Sequence, residues 1–382
     1  MTLDSVISSI HKSLSIAKKP VMFFDSDTDG TTSYLQLKRV FPKLIGYPFA
    51  RDQEKQKECI RYLEEDTDTV FFIDIPVVRA DLLELIKDKK IIWADHHILQ
   101  DKSVLSNYTI TYLNPLDFDA KDNRPSCYLA YKIAGSKDNL DLLSLGSISD
   151  FYLLPELAEW EQAQPNQFNS VLRLSESKKS ELFSFLKKNN FNEATVREER
   201  ENWIRYLTYE CGVSELKNFF DFIYKVDSEA RMLHAVRMVE KLSLTELLGE
   251  IRSGKGFLFE DYAKLTSKYR KIFDKAMTQV KDEKIVFFEY TGLRAYTKTL
   301  SEELCYRLKN WEVIAVFFKK KSGHEYQGST RAKSDVHLPN LLKECLVGLE
   351  GYGGGHPKAS GCKVSEKDFP EFKKRFISKL SA

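Results

Sequence analysis

The stretch Val21-Met22-Phe23-Phe24-Asp25-Ser26-Asp27-Thr28-Asp29-Gly30-Thr31-Thr32-Ser33 decides the fold. Four apolar residues lead into three carboxylates at alternate positions, and a glycine with three hydroxyl residues follows at once. This order predicts a strand, a turn and a helix, which together project the turn side chains into the crevice above a parallel sheet, where small ligands and metals usually sit. Clustered carboxylates repel one another, so the segment needs cations.

Two later runs repeat the pattern. Val70-Phe71-Phe72-Ile73 ends in Asp74, and Ile91-Ile92-Trp93-Ala94 ends in Asp95-His96-His97. As parallel neighbours, the three strands bring Asp25, Asp27, Asp29, Asp74, His96 and His97 to one sheet edge, enough to ligate two divalent metals. Carboxylate oxygens favour hard cations, and one imidazole nitrogen shifts the ranking to Mn²⁺ first and Mg²⁺ second, with zinc less favoured. A calcium loop is the competing reading of the first stretch, but no acid falls where that loop requires its final glutamate.

A chain of 382 residues exceeds the size at which one core stops growing, so two or three domains are expected. The formal net charge of +2 leaves no global field for a polyanion or a membrane, and any such site must be local. The six cysteines form no CxxC pair, which argues against zinc ribbons and disulfide frameworks and reads as reduced intracellular thiols. No stretch approaches the length of a membrane span, and the N-terminus reads as an amphipathic helix through Leu14 and Ile16 rather than a leader, so a cytoplasmic protein without membrane contact is expected.

From about residue 20 to 150, apolar runs alternate with helix-periodic segments such as Ser33 to Phe41 and Ala80 to Lys87, the pattern of a doubly wound α/β domain. Between about 155 and 281 the spacing turns helical, most clearly in the stripe Phe259, Tyr262, Leu265, Tyr269, Ile272, Phe273, Met277 and Val280, which reads as core-facing. After Lys284, strand character returns in Ile285 to Phe288 and Val313 to Phe318, separated by a helical stretch from Lys298 to Leu308. This smaller α/β region carries a balance of about +5, whereas the rest is slightly acidic, so a polyanion should lie on its side. The run Gly353-Gly354-Gly355 can surround an anion with backbone N–H groups, and His356, Lys358 and Arg331 add positive charge.

The first stretch, the lone Asp74, Asp95-His96-His97 and Leu145-Gly146-Ser147-Ile148-Ser149-Asp150 resemble, in order, the four motifs of the DHH phosphoesterase superfamily. Gly353-Gly354-Gly355-His356-Pro357-Lys358-Ala359-Ser360-Gly361 resembles the signature of the DHH-associated C-terminal domain. The Asp-x-Asp-x-Asp-Gly form of the first motif is most similar to the RecJ branch of single-strand exonucleases and their archaeal relatives. Other branches carry a histidine four positions before Asp27, where this chain has Phe23. Asp25 then stands either as a substitute ligand or as a residue behind the ligands.

The resemblance implies a parallel-sheet DHH domain at 1–155 and a substrate-binding α/β domain at 282–382 facing the first across a cleft, while the helical spacing of 156–281, which carries no family motif, reads as a helical extension and connector. It implies Asp27, Asp29, Asp74, His96 and Asp150 as metal ligands, with Asp74 bridging two ions. His97 would face the scissile phosphate, Asp95 would orient an imidazole, and Arg331, Gly353, Gly354, Gly355, His356 and Lys358 would grip the substrate. The implied activity is phosphodiester hydrolysis of single-stranded RNA, DNA or short oligonucleotides by a metal-activated water. A hydrolase of linear or cyclic dinucleotides, or a replication scaffold that retains activity, are the alternatives, and replication or repair proteins are the partners the resemblance suggests.

Overall fold

The computed structural model describes residues 2–49, 53–99, 103–188, 197–226, 228–280, 283–333 and 335–381. The chain divides into two compact units, Met1–Tyr262 and Ala263–Ala382.

The first unit is built on five strands, β1 (Pro20–Phe24), β2 (Ile45–Pro48), β3 (Thr69–Ile73), β4 (Lys90–Ala94) and β5 (Ile110–Leu113), in the order β2-β1-β3-β4-β5. Every neighbouring pair is parallel. Because strand side chains alternate, the apolar runs feed two cores. Met22, Phe24, Phe71, Ile73, Ile92 and Ala94 join one cluster, and Val21, Phe23, Val70, Phe72, Ile91 and Trp93 join the other. β1 and β3 are buried along their whole length, which is why their sequences read as unbroken apolar runs rather than alternating ones. Each phenylalanine buried here contributes roughly 1.5–3 kcal/mol of transfer free energy.

The first core is closed by the helices Leu3–Ile16, Thr28–Val40, Ser126–Ala134 and Leu140–Ser149. The helices after Asp150 add Trp160, Phe168, Leu207, Leu216, Phe219 and Phe220 to that same core. On the other face lie the helix Ala80–Leu85 and the 3-10 segment Gln53–Tyr62. In the long helix Phe257–Gln279 the expected stripe is buried at Phe259, Leu265, Tyr269 and Phe273. Met277 departs from it and is 36% exposed, its neighbour Ala276 being fully buried in its place.

The second unit carries β6 (Ile285–Gly292), β7 (Val313–Lys320), β8 (Glu325–Ala332), β9 (Gly351–His356) and β10 (Ala359–Ser365), ordered β6-β7-β8-β10-β9. β6 and β7 are parallel, with the helix Thr297–Arg307 between them in the chain, and the remaining pairs are antiparallel. Phe317, Leu342, Phe369, Phe372 and Phe376 form its core. None of the six cysteines is in a disulfide. No helix among the described residues is long and apolar enough to cross a membrane.

The turn after β1 is tight. A Cβ on Gly30 would sit 2.3 Å from the Asp25 carbonyl oxygen, a backbone atom that cannot swing aside. Gly30→Ala should therefore cost about 2–4 kcal/mol of stability, read as a lower urea midpoint at unchanged slope. A wild-type midpoint would show that the turn does not pack against the helix start in this way.

Candidate metal centre

Each acidic motif is placed by a strand end. Asp25 follows β1, Asp74 follows β3 and Asp95 follows β4. The ladder continues one step past the strands, with the Asp74 amide donating to Ala94 O at 3.1 Å and the Asp95 amide to Leu113 O at 3.0 Å. These bonds fix where the side chains emerge. Asp74 then turns with φ 60°, a left-handed conformation that aspartate tolerates better than most residues.

The helix Thr28–Val40 positions the first motif. Asp27 caps it, accepting from the Gly30 amide at 3.1 Å, and Asp29 lies in its first turn, where the helix dipole favours an anion. The Asp29 carboxylate also accepts from the amides of Ser126 (2.9 Å) and Cys127 (2.8 Å), the opening residues of the helix Ser126–Ala134. One buried carboxylate is thus held by two helix starts. Asp150 caps the end of Leu140–Ser149.

These placements converge. Asp25, Asp27 and Asp74 offer ligand atoms within 4.8 Å of one another, as do Asp74, His96 and His97, and Asp29, His96 and Asp150. Asp74 and His96 each belong to two of the three groups. The His96 Nε2 lies 3.5 Å from Asp74, 3.7 Å from Asp150 and 3.9 Å from Asp29. Phe23 is fully buried in the opposite core against Phe49 and Phe72 and offers no ligand atom, whereas Asp25 is part of the convergence.

His97 is turned differently. Its Nδ1 lies 2.8 Å from Asp95 Oδ1, its amide donates to Asp95 Oδ2 at 3.2 Å, and Asn114 Nδ2 donates to its carbonyl at 2.8 Å. Asp95, wholly buried, thereby fixes the imidazole orientation and leaves Nε2 directed away from it.

The electrostatics report crowding. Burial, then Asp74, Asp150 and Asp27, push Asp29 well above the ordinary carboxylate range. Burial, with Asp27 adding repulsion, pushes Asp74 up to about 7. Burial would depress His96, but Asp74, Asp150 and Asp29 hold it well above its usual value. Burial would likewise lower His97, and Asp95 raises it instead. Burial would raise Asp95, yet the neighbouring His97 holds it below its ordinary range. In the ion-free chain, protons do the work that a cation would do. The donor set, carboxylates with imidazole, fits a hard divalent ion such as Mn²⁺ or Mg²⁺.

Several contacting residues carry no sequence signal. Ser126 Oγ donates to Asp74 Oδ1 at 3.1 Å. Thr28, between Asp27 and Asp29, donates to Asp221 Oδ1 at 3.0 Å, and Asp221 is paired with Lys217 at 2.9 Å, both almost fully buried. The helix Val213–Ile223 so buttresses the acidic turn.

In the second unit, the glycine run lies in β9, an edge strand paired with β10, rather than in a loop. Gly355 has φ 135°, and a Cβ there would meet Ala359 O at 2.8 Å, so glycine is required beside the turn. Arg331 faces Ala359 across β8 and β10, and Ala359 faces His356 across β10 and β9. Arg331 and His356 therefore share a cross-strand row and one sheet face, roughly 10 Å apart. Lys358 sits in the turn between β9 and β10. Arg331 donates to Glu302 at 2.9 Å, which fixes its guanidinium and offsets part of its charge.

Residues 292–382 match the DHHA1 domain. RecJ from Thermus thermophilus in complex with Mn²⁺ aligns with TM-score 0.61 at 17% identity, over 99% of this chain and 54% of that one. The DHH domain of a member of the s1p family of ribosomal proteins gives 0.65 at 14% identity, over 99% and 91%. Exonuclease RecJ bound to manganese gives 0.54 at 17%, over 100% and 94%. This chain thus spans about half the length of the Thermus RecJ. No curated protein matches it in sequence. At these identities the likeness establishes the fold, which is that of the DHH and RecJ proteins, with a DHHA1 domain at the C-terminal end.

The raised groups set a pH dependence. Asp29, Asp74, His96 and His97 bind protons more tightly folded than unfolded, so they contribute stability to the ion-free chain on the acid side that is lost as pH rises through their folded values, about 7 for Asp74, while the depressed Asp95 works in the opposite direction. Millimolar Mn²⁺ should raise the melting midpoint by about 5 °C or more at pH 8 and much less at pH 5.5, where protons occupy the ligands. A larger shift at the acid pH, or none at pH 8, would contradict the site.

Proposed function

We propose that the chain is a metal-dependent phosphodiesterase of the RecJ-like kind, acting from an end on single-stranded nucleic acid or short oligonucleotides. The observation that carries this reading is the convergence of three acidic groups that share Asp74 and His96 at the carboxyl edge of a parallel sheet. The fold it shares with the RecJ proteins and the DHHA1 match support the same reading.

Asp25, Asp27, Asp29, Asp74, His96 and Asp150 would hold two divalent cations, Mn²⁺ before Mg²⁺, with Asp74 shared between them. Such cations supply Lewis-acid activation of a water and neutralise charge on the phosphodiester. The remaining work falls to the chain. His97, its ring fixed by Asp95, directs Nε2 to a phosphate oxygen. Arg331 and His356, on one row of the second sheet, with Lys358 in the adjoining turn, contact the substrate's phosphates away from the bond that breaks.

A hydrolase of linear or cyclic dinucleotides uses the same chemistry in a closed pocket, and the dependence on substrate length separates the two. A scaffold without activity is disfavoured, because every acid of the cluster and His96 are present and brought together.

End-labelled RNA and DNA of about two to thirty nucleotides, digested with Mn²⁺ and resolved over time, test the proposal. Stepwise shortening of long single strands is expected, with duplexes resistant. Asp74→Asn should lower turnover by more than about a hundredfold without lowering the melting midpoint, since asparagine tolerates the left-handed turn, still accepts from Ser126 and removes a repelled charge. Undiminished turnover in that variant, or cleavage that persists in excess EDTA, would contradict the assignment.

A further inference from the structure

The helix Leu140–Ser149 ends in a two-bond lock. The Phe151 amide donates to Ile148 O at 3.1 Å and the Tyr152 amide to Ser147 O at 2.8 Å. That pattern passes the chain through a left-handed residue, and the position is usually glycine. Here it is Phe151, with φ 57°. A bulky side chain in this region crowds its own backbone and is seldom found there.

Packing covers only part of the ring. Phe151 is 38% exposed, and the ring beside it, Tyr209, lies 6.5 Å away at 45°. Strain retained at a residue whose ring is left about two-fifths exposed points to a use outside the core. Its address supplies that use. Phe151 follows Asp150, whose carboxylate lies 3.7 Å from His96. Ile98, the residue after His97, is 59% exposed, so apolar surface adjoins the acidic cluster on two chain segments.

We propose that Phe151 is the stacking platform for the nucleobase beside the phosphate handled at the metal centre. This rests on the phosphodiesterase reading and narrows it. Every base has a flat π face, so an aromatic platform recognises the presence of a base rather than its identity. In a duplex those faces are covered by neighbouring bases, so the platform selects unpaired strands. The substrate class is therefore base-bearing, single-stranded phosphodiesters of mixed sequence.

Two measurements on the full chain test this. In the first, wild type, Phe151→Gly and Phe151→Trp are compared on a DNA decamer and on the same decamer built from abasic residues. Wild type and Phe151→Trp should show KM about tenfold lower for the base-bearing strand. Phe151→Gly should lose that preference with kcat nearly intact. A Phe151→Gly variant that keeps the preference overturns the proposal.

In the second, Phe151→Trp is titrated with AMP in EDTA and its fluorescence followed. The native tryptophans are 0–8% exposed, so an exposed indole at 151 dominates the quenching signal. Saturable quenching is expected. If wild type hydrolyses no phosphodiester yet the indole is quenched, the metal-centre reading falls and the platform stands. If hydrolysis proceeds with no quenching and no change in preference, the platform falls alone.

Discussion

Repulsion among buried carboxylates is the constraint around which the first unit is organised. Asp27, Asp29 and Asp74 are each 7% exposed or less and lie at the edge of one sheet, where low dielectric makes each charge costly to its neighbours. Nothing in ordinary core packing selects such an arrangement. The chain tolerates it through helix starts, backbone amides and imidazoles that offset part of the charge, and a divalent cation would offset the rest. The left-handed turn at Asp74 and the tight approach at Gly30 are the backbone's share of the same task.

Much of this was legible in the sequence, because the central strands of a parallel sheet are buried on both faces and announce themselves as apolar runs. β1, β3 and β4 fall in that class, and the acids immediately after them could be placed at one edge, while β7 and the edge strand β6 of the mixed second sheet also show apolar runs. β2 and β5 went unread, for they are four-residue strands at the sheet's margins, and Ile45-Gly46-Tyr47-Pro48 has no apolar run to show. β8 was missed for a different reason. Its inward residues are Tyr326, Gly328, Thr330 and Ala332, with the Phe317 ring lying against Gly328, so one large side chain followed by small ones leaves no hydrophobic alternation to mark it.

The supports of the site were less visible than its ligands. Ser126 and Cys127 reach Asp29 across 97 and 98 residues, and Asp221 reaches Thr28 across 193. No local pattern encodes contacts of that range. The glycine run near the C-terminus shows the opposite case, a pattern legible as glycine-dependent whose geometry is a strand edge rather than a loop. What the strand geometry adds is the row that sets Arg331 and His356 on one face, with Glu302 holding the arginine.

The central claim is that this acidic edge is a binding site for two cations. The most direct measurement is anomalous scattering at the manganese edge from crystals grown with Mn²⁺. Two peaks among Asp27, Asp29, Asp74, His96 and Asp150, with Asp74 between them, are the expected result. An empty acidic edge at full Mn²⁺ occupancy elsewhere in the crystal would contradict the account.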